Sequence, residues 1–337
     1  MKIVGIGDLF IPAKYIEEGF KPLRDAGHEV VTLDWPLESF TQLQAINLKV
    51  EQNGCEAADA PECVYEACKD ADVIITQFCP VNSKLVAACP KLKAVGVLRG
   101  GMENVCGDLL KEKGIALFNS PGRNAESVAD FTVGMLICET RNIARGHYGL
   151  KTNQWIREYP NSGAIPDLNG RTIGLIGCGA IGQKVAHKLS GFDMRVLGFD
   201  PYANRETCEK LGIELVSLET LLAESDYVSL HARLTEQNKG MLSVKEFATM
   251  KQGAYLINTS RAGLIDEEAL YEALRSGHLA GAALDVFEHE PPAADDPLTN
   301  LPNVTITPHM AGGSNDAFFN TPKLLRSRMQ EWFATQH

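Results

Sequence analysis

Three polar residues in the C-terminal half of the sequence each follow a short apolar stretch: Arg261, Glu290 and His309. An arginine can hold a carboxylate through two parallel hydrogen bonds and polarise an adjacent carbonyl. A histidine held by a carboxylate can donate or accept a proton near neutral pH, because the acid orients the ring and stabilises its charged form. Beside a nicotinamide, these residue types could carry out hydride transfer to a 2-oxo acid or from a 2-hydroxy acid.

Each of these residues also has a simpler interpretation. Taken alone, Arg261 is more often a surface ion-pair partner, and Glu290 is more often a solvated loop acid. His309 competes with His289 and His231 for the role of acid and base, and the residue types alone do not choose among the three. These alternatives stay open at the level of the sequence.

A glycine motif with the spacing G-x-G-x-x-G, Gly177 to Gly182, directly follows an apolar strand pattern and opens a helix pattern. Such glycines allow a tight turn and close approach of a pyrophosphate to the backbone, and the helix N-terminus offers free N–H groups to the phosphates. Asp200 ends the next apolar strand pattern. A carboxylate there binds ribose hydroxyls and repels the additional phosphate of NADP, so the pattern predicts an NAD site.

Composition limits the kinds of partner. The chain has 337 residues, of which 45% are hydrophobic and 22% charged, and 32 Lys and Arg against 43 Asp and Glu leave a net charge of −11. At about 150 residues per domain, this length suggests two domains. No block of basic residues offers a nucleic-acid or membrane-surface footprint, so a small-molecule partner is the better prediction.

The nine cysteines form no C-x-x-C pair, which favours a reduced chain without a metal site. The N-terminus has only a short apolar stretch before Asp8, which is typical of a first strand rather than a signal peptide. No stretch is long and apolar enough to cross a bilayer. These observations predict a cytoplasmic protein with no membrane partner.

Val- and Ile-rich stretches alternate with amphipathic ones, as in parallel sheets joined by crossover helices. The first series predicts five strands, near residues 2–6, 29–33, 72–76, 92–97 and 115–118. The second series predicts six, near residues 172–177, 195–199, 227–231, 254–258, 281–286 and 304–307. Helical patterns cover residues 125–147 and 315–337. The chain is therefore predicted to form two α/β units.

The stretches 118–125, 258–266, 281–291 and 307–313, with the glycine motif, closely resemble the D-isomer-specific 2-hydroxyacid dehydrogenase family. The family includes D-lactate, D-glycerate and D-3-phosphoglycerate dehydrogenases and glyoxylate/hydroxypyruvate reductases, and the resemblance extends over nearly the whole chain. It implies an NAD-dependent oxidoreductase that interconverts D-2-hydroxy and 2-oxo acids.

The resemblance also implies an architecture of two Rossmann-like lobes with the active cleft between them. An NAD-binding domain with a doubly wound parallel sheet, residues 120–308, would be inserted into a flavodoxin-like substrate domain, residues 1–119 plus 309–337. Dimers formed through the cofactor domain are usual in the family, so a homodimer is expected.

By this resemblance, Arg261 binds the substrate carboxylate and carbonyl, His309 is the general acid and base, and Glu290 pairs with His309. NAD contacts are expected at Gly177, Gly179, Ala180, Ile181, Gly182, Asp200, Thr259, Ser260, Asp285 and Gly312. Substrate contacts are expected at Arg99, Gly100, Gly101 and Arg261.

Two positions depart from the family pattern. Arg99 replaces a customary glycine in the loop 98–104, where its guanidinium could either recruit a second anionic group or point to solvent. Ala232 and Arg233 stand where a proline commonly follows the strand. Within the family, a D-3-phosphoglycerate dehydrogenase with Arg99 on the phosphate is one alternative. An NAD-sensing, corepressor-like binding protein is another, whereas formate dehydrogenase has glutamine where Glu290 stands.

Overall fold

The computed structural model describes residues 1–336, and these form two compact α/β units. Unit 1 comprises Met1–Asn124 and the segment that begins at Gly313, and unit 2 comprises Ala125–Gly312. Unit 2 is thus an insertion in the sequence of unit 1. Contacts divide the chain a few residues beyond the boundaries expected from the sequence, so that His309 belongs to unit 2.

Unit 1 is built on a five-stranded parallel sheet in the order β2-β1-β3-β4-β5, which is the flavodoxin-like order predicted from the resemblance. Its strands are β1 (Lys2–Gly7), β2 (Glu29–Asp34), β3 (Val73–Thr76), β4 (Ala94–Val97) and β5 (Ala116–Asn119). The helices that connect them are α1 (Ala13–Asp25), α2 (Phe40–Asn53), α3 (Glu62–Cys68), α4 (Ser83–Ala88) and α5 (Gly107–Glu112).

Unit 2 is built on a seven-stranded parallel sheet in the order β12-β11-β10-β9-β6-β7-β8, a doubly wound Rossmann-like arrangement. The strands are β6 (Thr172–Ile176), β7 (Arg195–Phe199), β8 (Ile213–Leu215), β9 (Tyr227–Leu230), β10 (Ala254–Asn258), β11 (Leu279–Leu284) and β12 (Val304–Ile306). The helices are α6 (Ala125–Thr140), α7 (Ile143–Lys151), α8 (Ala180–Leu189), α9 (Arg205–Lys210), α10 (Leu218–Glu224), α11 (Val244–Thr249) and α12 (Glu267–Arg275).

The last helix, α13 (Asn315–Ala334), packs on α1 within unit 1. Gly19 of α1 makes this possible, because a Cβ at that position would overlap Pro322 of α13. Leu325 and Met329 of α13 are fully buried in the same apolar cluster as Phe20 of α1. One face of the unit 1 sheet is therefore covered by two helices that come from opposite ends of the chain.

The single helix predicted over residues 125–147 is wrong in one respect, because the structure has two helices, α6 and α7, across this range. The chain turns at Asn142, whose φ of 56° is left-handed and ends the regular helix. The Asn142 side chain donates to Asn161 Oδ1 at 2.7 Å and accepts from Arg145 Nη1 at 3.1 Å. These hydrogen bonds offset the cost of the unusual backbone conformation.

The strand predictions are confirmed apart from their ends and one omission. The sequence pattern missed β8, a three-residue strand at the edge of the unit 2 sheet. Among the helices of the described residues, none is both long and apolar enough to span a membrane.

Candidate active site

The carboxyl ends of the parallel strands in unit 2 bring together residues that are far apart in the sequence. Gly177 follows β6, Asp200 follows β7 and Arg261 lies in the turn after β10. Asp285 follows β11 directly, and His309 lies just beyond β12. Parallel strands end at the same edge of a sheet, and ligands of open α/β sheets bind there. The sheet therefore assembles the predicted cofactor and catalytic positions along one edge of unit 2.

His309 and Glu290 form the hydrogen-bonded pair expected from the sequence. The His309 Nδ1 lies 2.8 Å from Glu290 Oε2, and Glu290 Oε1 accepts from the Phe287 backbone N–H at 3.1 Å. The carboxylate is thus held at both oxygens. His309 has a φ of 48°, a left-handed conformation that is uncommon for a residue other than glycine. Strained backbone of this kind is concentrated at functional sites.

Asp285 holds the segment that carries His309. Its buried carboxylate accepts hydrogen bonds from the Thr307 hydroxyl at 2.6 Å and from the Met310 and Ala311 N–H groups, each at 2.9 Å. These donors lie on both sides of His309, so Asp285 fixes the backbone on which the imidazole is mounted. The sequence placed Asp285 among the NAD contacts, and the structure adds this positioning function.

The three candidate histidines have different surroundings. Of these three, His309 is the one hydrogen-bonded to a carboxylate. The His231 ring lies within 3.0 Å of the Ser229 hydroxyl, and burial lowers the pKa of His231 to about 4, which keeps it neutral at pH 7. His289 directly precedes Glu290 in the sequence, and the side chain that contacts His309 is that of Glu290. The geometry thus singles out one of three histidines that the residue types could not separate.

Arg261 is exposed at the start of a short 3-10 helix, Ala262–Leu264. Buried Asn258 shapes this turn, since it donates to the Arg261 carbonyl and accepts from both the backbone N–H and the hydroxyl of Ser260. The Arg261 guanidinium itself donates through Nη1 to the Ser260 carbonyl at 2.7 Å, and no described carboxylate forms an ion pair with it. Its other donors can therefore bind an anion.

The two hydroxyl residues before Arg261 already have partners within the protein. Thr259 Oγ1 lies 2.7 Å from Thr132 Oγ1, which in turn donates to the Val128 carbonyl, so Thr259 is the donor of this pair. The Ser260 hydroxyl donates to Asn258. Both hydroxyls thus stabilise the turn, and the structure leaves them only acceptor capacity toward a cofactor.

The glycine motif fits a dinucleotide phosphate group. Gly177 has a φ of 100°, and a Cβ there would lie 2.5 Å from the Ala232 nitrogen, so the turn requires glycine. A Cβ at Gly182 would overlap the Gly177 carbonyl oxygen. At Gly179, by contrast, a Cβ would meet no described atom within 4 Å. Two glycines are therefore required by packing, whereas the third keeps the surface clear at the N-terminus of α8, where Ala180 and Ile181 offer N–H groups.

Asp200, the residue predicted to bind the ribose, lies beside the glycine motif. Its two carboxylate oxygens accept from the Cys178 N–H at 2.9 Å and the Tyr202 N–H at 2.8 Å. These bonds tie the end of β7 to the glycine motif and leave further lone pairs for sugar hydroxyls. Gly312, the last predicted NAD contact, is the final residue of unit 2. The residues present therefore fit a dinucleotide at this edge.

The predicted substrate loop lies in unit 1, and its arginine is not free. Arg99 is 9% exposed and donates to Asn47 Oδ1 at 2.7 Å, to Glu51 at 3.1 Å and to Glu103. Its guanidinium also lies over the Phe78 ring, 5.1 Å from the centroid. Two carboxylates therefore compensate the Arg99 charge, and the side chain does not point to solvent. Glycines 100 and 101 follow it, and the Gly100 carbonyl accepts from Asn119 at 2.6 Å.

Sequence reasoning missed a group of buried polar atoms at the carboxyl edge of the unit 1 sheet. These atoms have no hydrogen-bond partner among the described residues: Asp8 Oδ2, both amide atoms of Gln77, Ser120 Oγ and Arg123 Nη1. Strand register explains why Asp8, Gln77 and Ser120 lie along the same edge of the sheet. Ile6 pairs with Thr76 and Val97 with Asn119, close to the ends of their strands. Unpartnered buried polar atoms are rare in proteins and call for an explanation.

Three aromatic rings lie beside Arg123. The Phe10 ring centroid is 6.2 Å from that of Phe78 and 5.2 Å from that of Phe318, both at tilted angles, and the Arg123 guanidinium lies 5.3 Å from the Phe318 centroid. Burial raises the pKa of Asp8 to about 6, although two backbone N–H groups donate to it. Burial likewise lowers the pKa of Arg123 to about 10. In the sequence, the only feature that pointed to Arg123 was its place in the Gly-Arg-Asn stretch of the family-like segment 118–125.

Comparison with known proteins identifies the family. The model for the NAD binding domain of D-isomer specific 2-hydroxyacid dehydrogenases matches residues 133–311, more than half of the chain. A glyoxylate reductase of Korarchaeum cryptofilum is 37% identical over 281 residues, which are 83% of this chain and 82% of that protein. A hydroxypyruvate reductase of Thermotoga maritima is 39% identical over 251 residues, 74% of this chain and 80% of that protein.

Other relatives agree on the fold but differ in length. The NAD-complexed D-isomer specific 2-hydroxyacid dehydrogenase of Lactobacillus delbrueckii has a TM-score of 0.79 and 24% identity, over 100% of this chain and 98% of that chain. The match to the D-3-phosphoglycerate dehydrogenase of Archaeoglobus fulgidus spans 78% of this chain but 50% of that protein. The chain belongs to the D-isomer specific 2-hydroxyacid dehydrogenases and is an NAD-dependent oxidoreductase of that family.

Proposed function

We propose that this protein interconverts a D-2-hydroxy acid and its 2-oxo acid, with His309 as the acid and base and Arg261 as the carboxylate ligand. The observation that carries the proposal is the 2.8 Å hydrogen bond between His309 and Glu290 at the strand edge that also bears the glycine motif. NAD, when bound at the glycine motif, accepts or supplies the hydride. The protein residues bind and orient the substrate and move one proton.

His309 delivers that proton through Nε2. Its Nδ1 is engaged by Glu290, so the second ring nitrogen is the one available to a substrate oxygen. In the reductive direction, protonated His309 donates from Nε2 to the oxygen on C2, and Glu290 stabilises the imidazolium before the transfer. The His309 side chain is 48% exposed, which allows the ring to recover a proton from water. Asp285 maintains the ring position through the segment that it holds.

Arg261 supplies the anion site. Its guanidinium carries the planar array of donors that matches a carboxylate, and the bond from Nη1 to the Ser260 carbonyl fixes one end of the group. The remaining donors can engage the substrate carboxylate and polarise the neighbouring carbonyl. Because no described acidic side chain competes for Arg261, an anionic substrate meets an uncompensated positive charge.

The test is turnover of NADH with glyoxylate and hydroxypyruvate. We expect His309→Ala to lower kcat at least about a hundredfold, the usual scale for loss of general acid–base help, while NADH binding measured by fluorescence is unchanged. His289→Ala is the matched control and should retain activity. A His309→Ala variant with the rate of the unaltered protein would contradict the proposed role, and a protein that binds NADH but reduces no 2-oxo acid would contradict the reaction.

Taken by themselves, the unpartnered groups of unit 1 suit a ligand that carries a hydroxyl group. A hydroxyl can accept from Arg123 or Gln77 and donate to Asp8, and so satisfies groups of both kinds. A phosphate would meet the Asp8 carboxylate, which repels it. Arg99, the residue that would have bound a phosphate, is already compensated by Glu51 and Glu103. We therefore favour a hydroxypyruvate-like acid over 3-phosphohydroxypyruvate.

Gln77→Leu separates this substrate proposal from a structural explanation. The substitution removes two unpartnered buried polar atoms, so the free protein should keep or gain stability. Loss of one hydrogen bond should lower kcat/KM for hydroxypyruvate about tenfold while leaving pyruvate unchanged. Pyruvate is the internal control, because it lacks the hydroxyl. An unchanged ratio of the two kcat/KM values would refute the assignment of Gln77.

A homodimer through unit 2 is part of the proposal. Six of the exposed large apolar residues lie in one stretch of this unit: Ile143, Tyr148, Leu150, Trp155, Ile156 and Ile165. Such a concentration of exposed apolar and aromatic groups is typical of an interface. Trp155→Glu should convert a dimer into a monomer in light scattering, whereas Tyr202→Glu, at another exposed position of unit 2, should not. The predicted cytoplasmic location stays a prediction.

A further inference from the structure

Two cysteines of unit 1 lie in direct contact at a place that the proposed reaction does not use. Cys55 opens a short 3-10 helix after α2, and Cys106 precedes α5. Their Sγ atoms are 2.7 Å apart, and Cys106 Sγ lies 3.1 Å from Glu56 Oε1. Both cysteines are partly accessible, unlike the buried thiols of the two cores. The site thus combines two accessible thiols with a carboxylate.

We propose that Cys55 and Cys106 form a reversible disulfide when the protein meets a peroxide. A disulfide has an S–S distance of about 2.05 Å, so the sulfurs need to approach by only a fraction of an ångström. A zinc ion with two thiolates at about 2.3 Å in tetrahedral geometry would hold the sulfurs nearly 4 Å apart. Since the observed separation is closer to the first value, the geometry favours a covalent bond over a metal site.

The surrounding groups suggest which thiol reacts first. Burial, with the adjacent Cys55 and Glu56, raises the pKa of Cys106, so this cysteine stays protonated near neutral pH. Glu56 is held by the Ser83 N–H at 2.9 Å and the Ser83 hydroxyl at 3.1 Å, and the hydrogen bonds from Cys106 and Ser83 lower the pKa of its carboxyl group. The single S–H proton of Cys106 is directed at Glu56, so we assign Cys55 as the first nucleophile and Glu56 as the group that relays the Cys106 proton.

The reaction balances in two steps. The Cys55 thiolate attacks one peroxide oxygen, the O–O bond breaks, and a sulfenic acid and one water result after protonation. Cys106 Sγ then attacks the Cys55 sulfur and the S–O bond breaks, while the Cys106 proton passes by way of the Glu56 carboxylate to the departing hydroxide, which leaves as the second water. Two thiols lose two electrons in total, and one peroxide is reduced to two waters.

The bond would tie together two segments that Arg99 already joins by polar contacts. Arg99 reaches Asn47 and Glu51 on α2, just before Cys55, and Glu103, just before Cys106. Oxidation would therefore lock the loop that carries Gly100 and Gly101 to α2. Because a disulfide restricts the unfolded chain, the oxidised form should also be the more stable one.

Mass spectrometry of the full-length protein tests the proposal. After stoichiometric hydrogen peroxide, we expect a loss of 2 Da, a cross-linked peptide that joins Cys55 to Cys106, and a rise in Tm of about 5 °C or more, all reversed by dithiothreitol. Cys63→Ser, which removes the exposed thiol of α3, is the control and should behave like the unaltered protein. Cys106→Ser should instead accumulate a Cys55 sulfenic acid that dimedone traps.

Three results would overturn the proposal. The first is oxidation that gives sulfinic or sulfonic acids at Cys55 without a cross-link. The second is a cross-link that involves another cysteine or a second molecule. The third is stoichiometric zinc binding by the reduced protein that is lost in Cys55→Ser, which would assign the two thiols and Glu56 to a metal site instead.

Discussion

The polar groups around His309 in unit 2 and those around Asp8 in unit 1 differ in how completely they are hydrogen-bonded. In unit 2, the Asp285 carboxylate accepts three hydrogen bonds, and both Glu290 oxygens have partners. In unit 1, Asp8, Gln77 and Arg123 each leave at least one buried polar atom without a partner among the described residues. Both groups lie at the carboxyl ends of parallel sheets, so fold class alone does not explain the difference.

This difference indicates that polar groups with complete hydrogen bonds and polar groups with incomplete ones suit different tasks. Acid–base chemistry needs a side chain held in one position, and the network around His309 provides this before any substrate arrives. Recognition needs groups whose hydrogen bonds are completed by the ligand, because a site that leaves them unpaired with a wrong substrate rejects that substrate. Under the proposed function, the group around His309 in unit 2 is therefore suited to the reaction, and the unpartnered group in unit 1 is suited by itself to ligand recognition.

The largest effect is expected when the arginine at each of these two places is replaced by methionine. Arg261→Met should lower kcat/KM for a 2-oxo acid by about a hundredfold to a thousandfold, since it removes a charged donor from the reacting group. Arg99→Met removes a guanidinium that is already compensated, and steady-state kinetics should show less than a threefold change in substrate preference. A large change in preference in Arg99→Met would mean that the Arg99 ion pairs open to bind substrate.

A second test concerns a buried carboxylate of unit 2 whose charge is compensated by an arginine. Glu139 is 2% exposed and accepts two hydrogen bonds of 2.8 Å from Arg145 and another from Thr305. Arg145→Met should lower the free energy of unfolding by about 3–5 kcal/mol in urea denaturation, because it leaves a buried carboxylate without its cation. Combining it with Glu139→Gln should recover most of the loss, and failure to recover would show that the arginine matters mainly for packing.

The burial of Asp8 should be measurable as a dependence of the unfolding free energy on pH. Burial raises its pKa from 3.8 to about 6, so the folded state binds a proton that the unfolded state releases between these values. The resulting stability is present below pH 4 and is lost as the pH rises through 6. Asp8→Asn abolishes this loss. Relative to the unaltered protein, the variant should therefore gain about 3 kcal/mol of unfolding free energy between pH 4 and pH 7. Parallel pH profiles would contradict the burial of a titrating Asp8.

The smallest effect is expected at the glycine motif, where two glycines have different constraints. Gly179→Ala has free space in this structure, so it should leave Tm unchanged while weakening NADH binding about tenfold, or about 1.4 kcal/mol, by crowding the pyrophosphate. Gly182→Ala should lower Tm as well, since its Cβ would overlap the Gly177 carbonyl. Unaltered NADH affinity in Gly179→Ala would place the phosphates elsewhere.

The strand pattern was predictable because most strands of these sheets are covered on both faces and are therefore largely apolar. The pattern failed where length or local geometry decided the outcome. β8 has three residues, too few for a periodicity. The helix break at Asn142 depends on a left-handed residue and on a hydrogen bond to Asn161, and neither leaves a mark in the apolar pattern of residues 125–147.

The sequence by itself determined the family, the cofactor and the positions of the glycine motif, because these depend on short motifs whose backbone requirements are local. The family resemblance also gave the pairing of His309 with Glu290, whereas only the tertiary structure decided that Arg99 is compensated from α2 and that Cys55 touches Cys106. Each of these contacts joins segments that strand order and helix packing bring together. Because charge compensation and desolvation act over a few ångströms in space, residue types and spacing along the chain could not fix them.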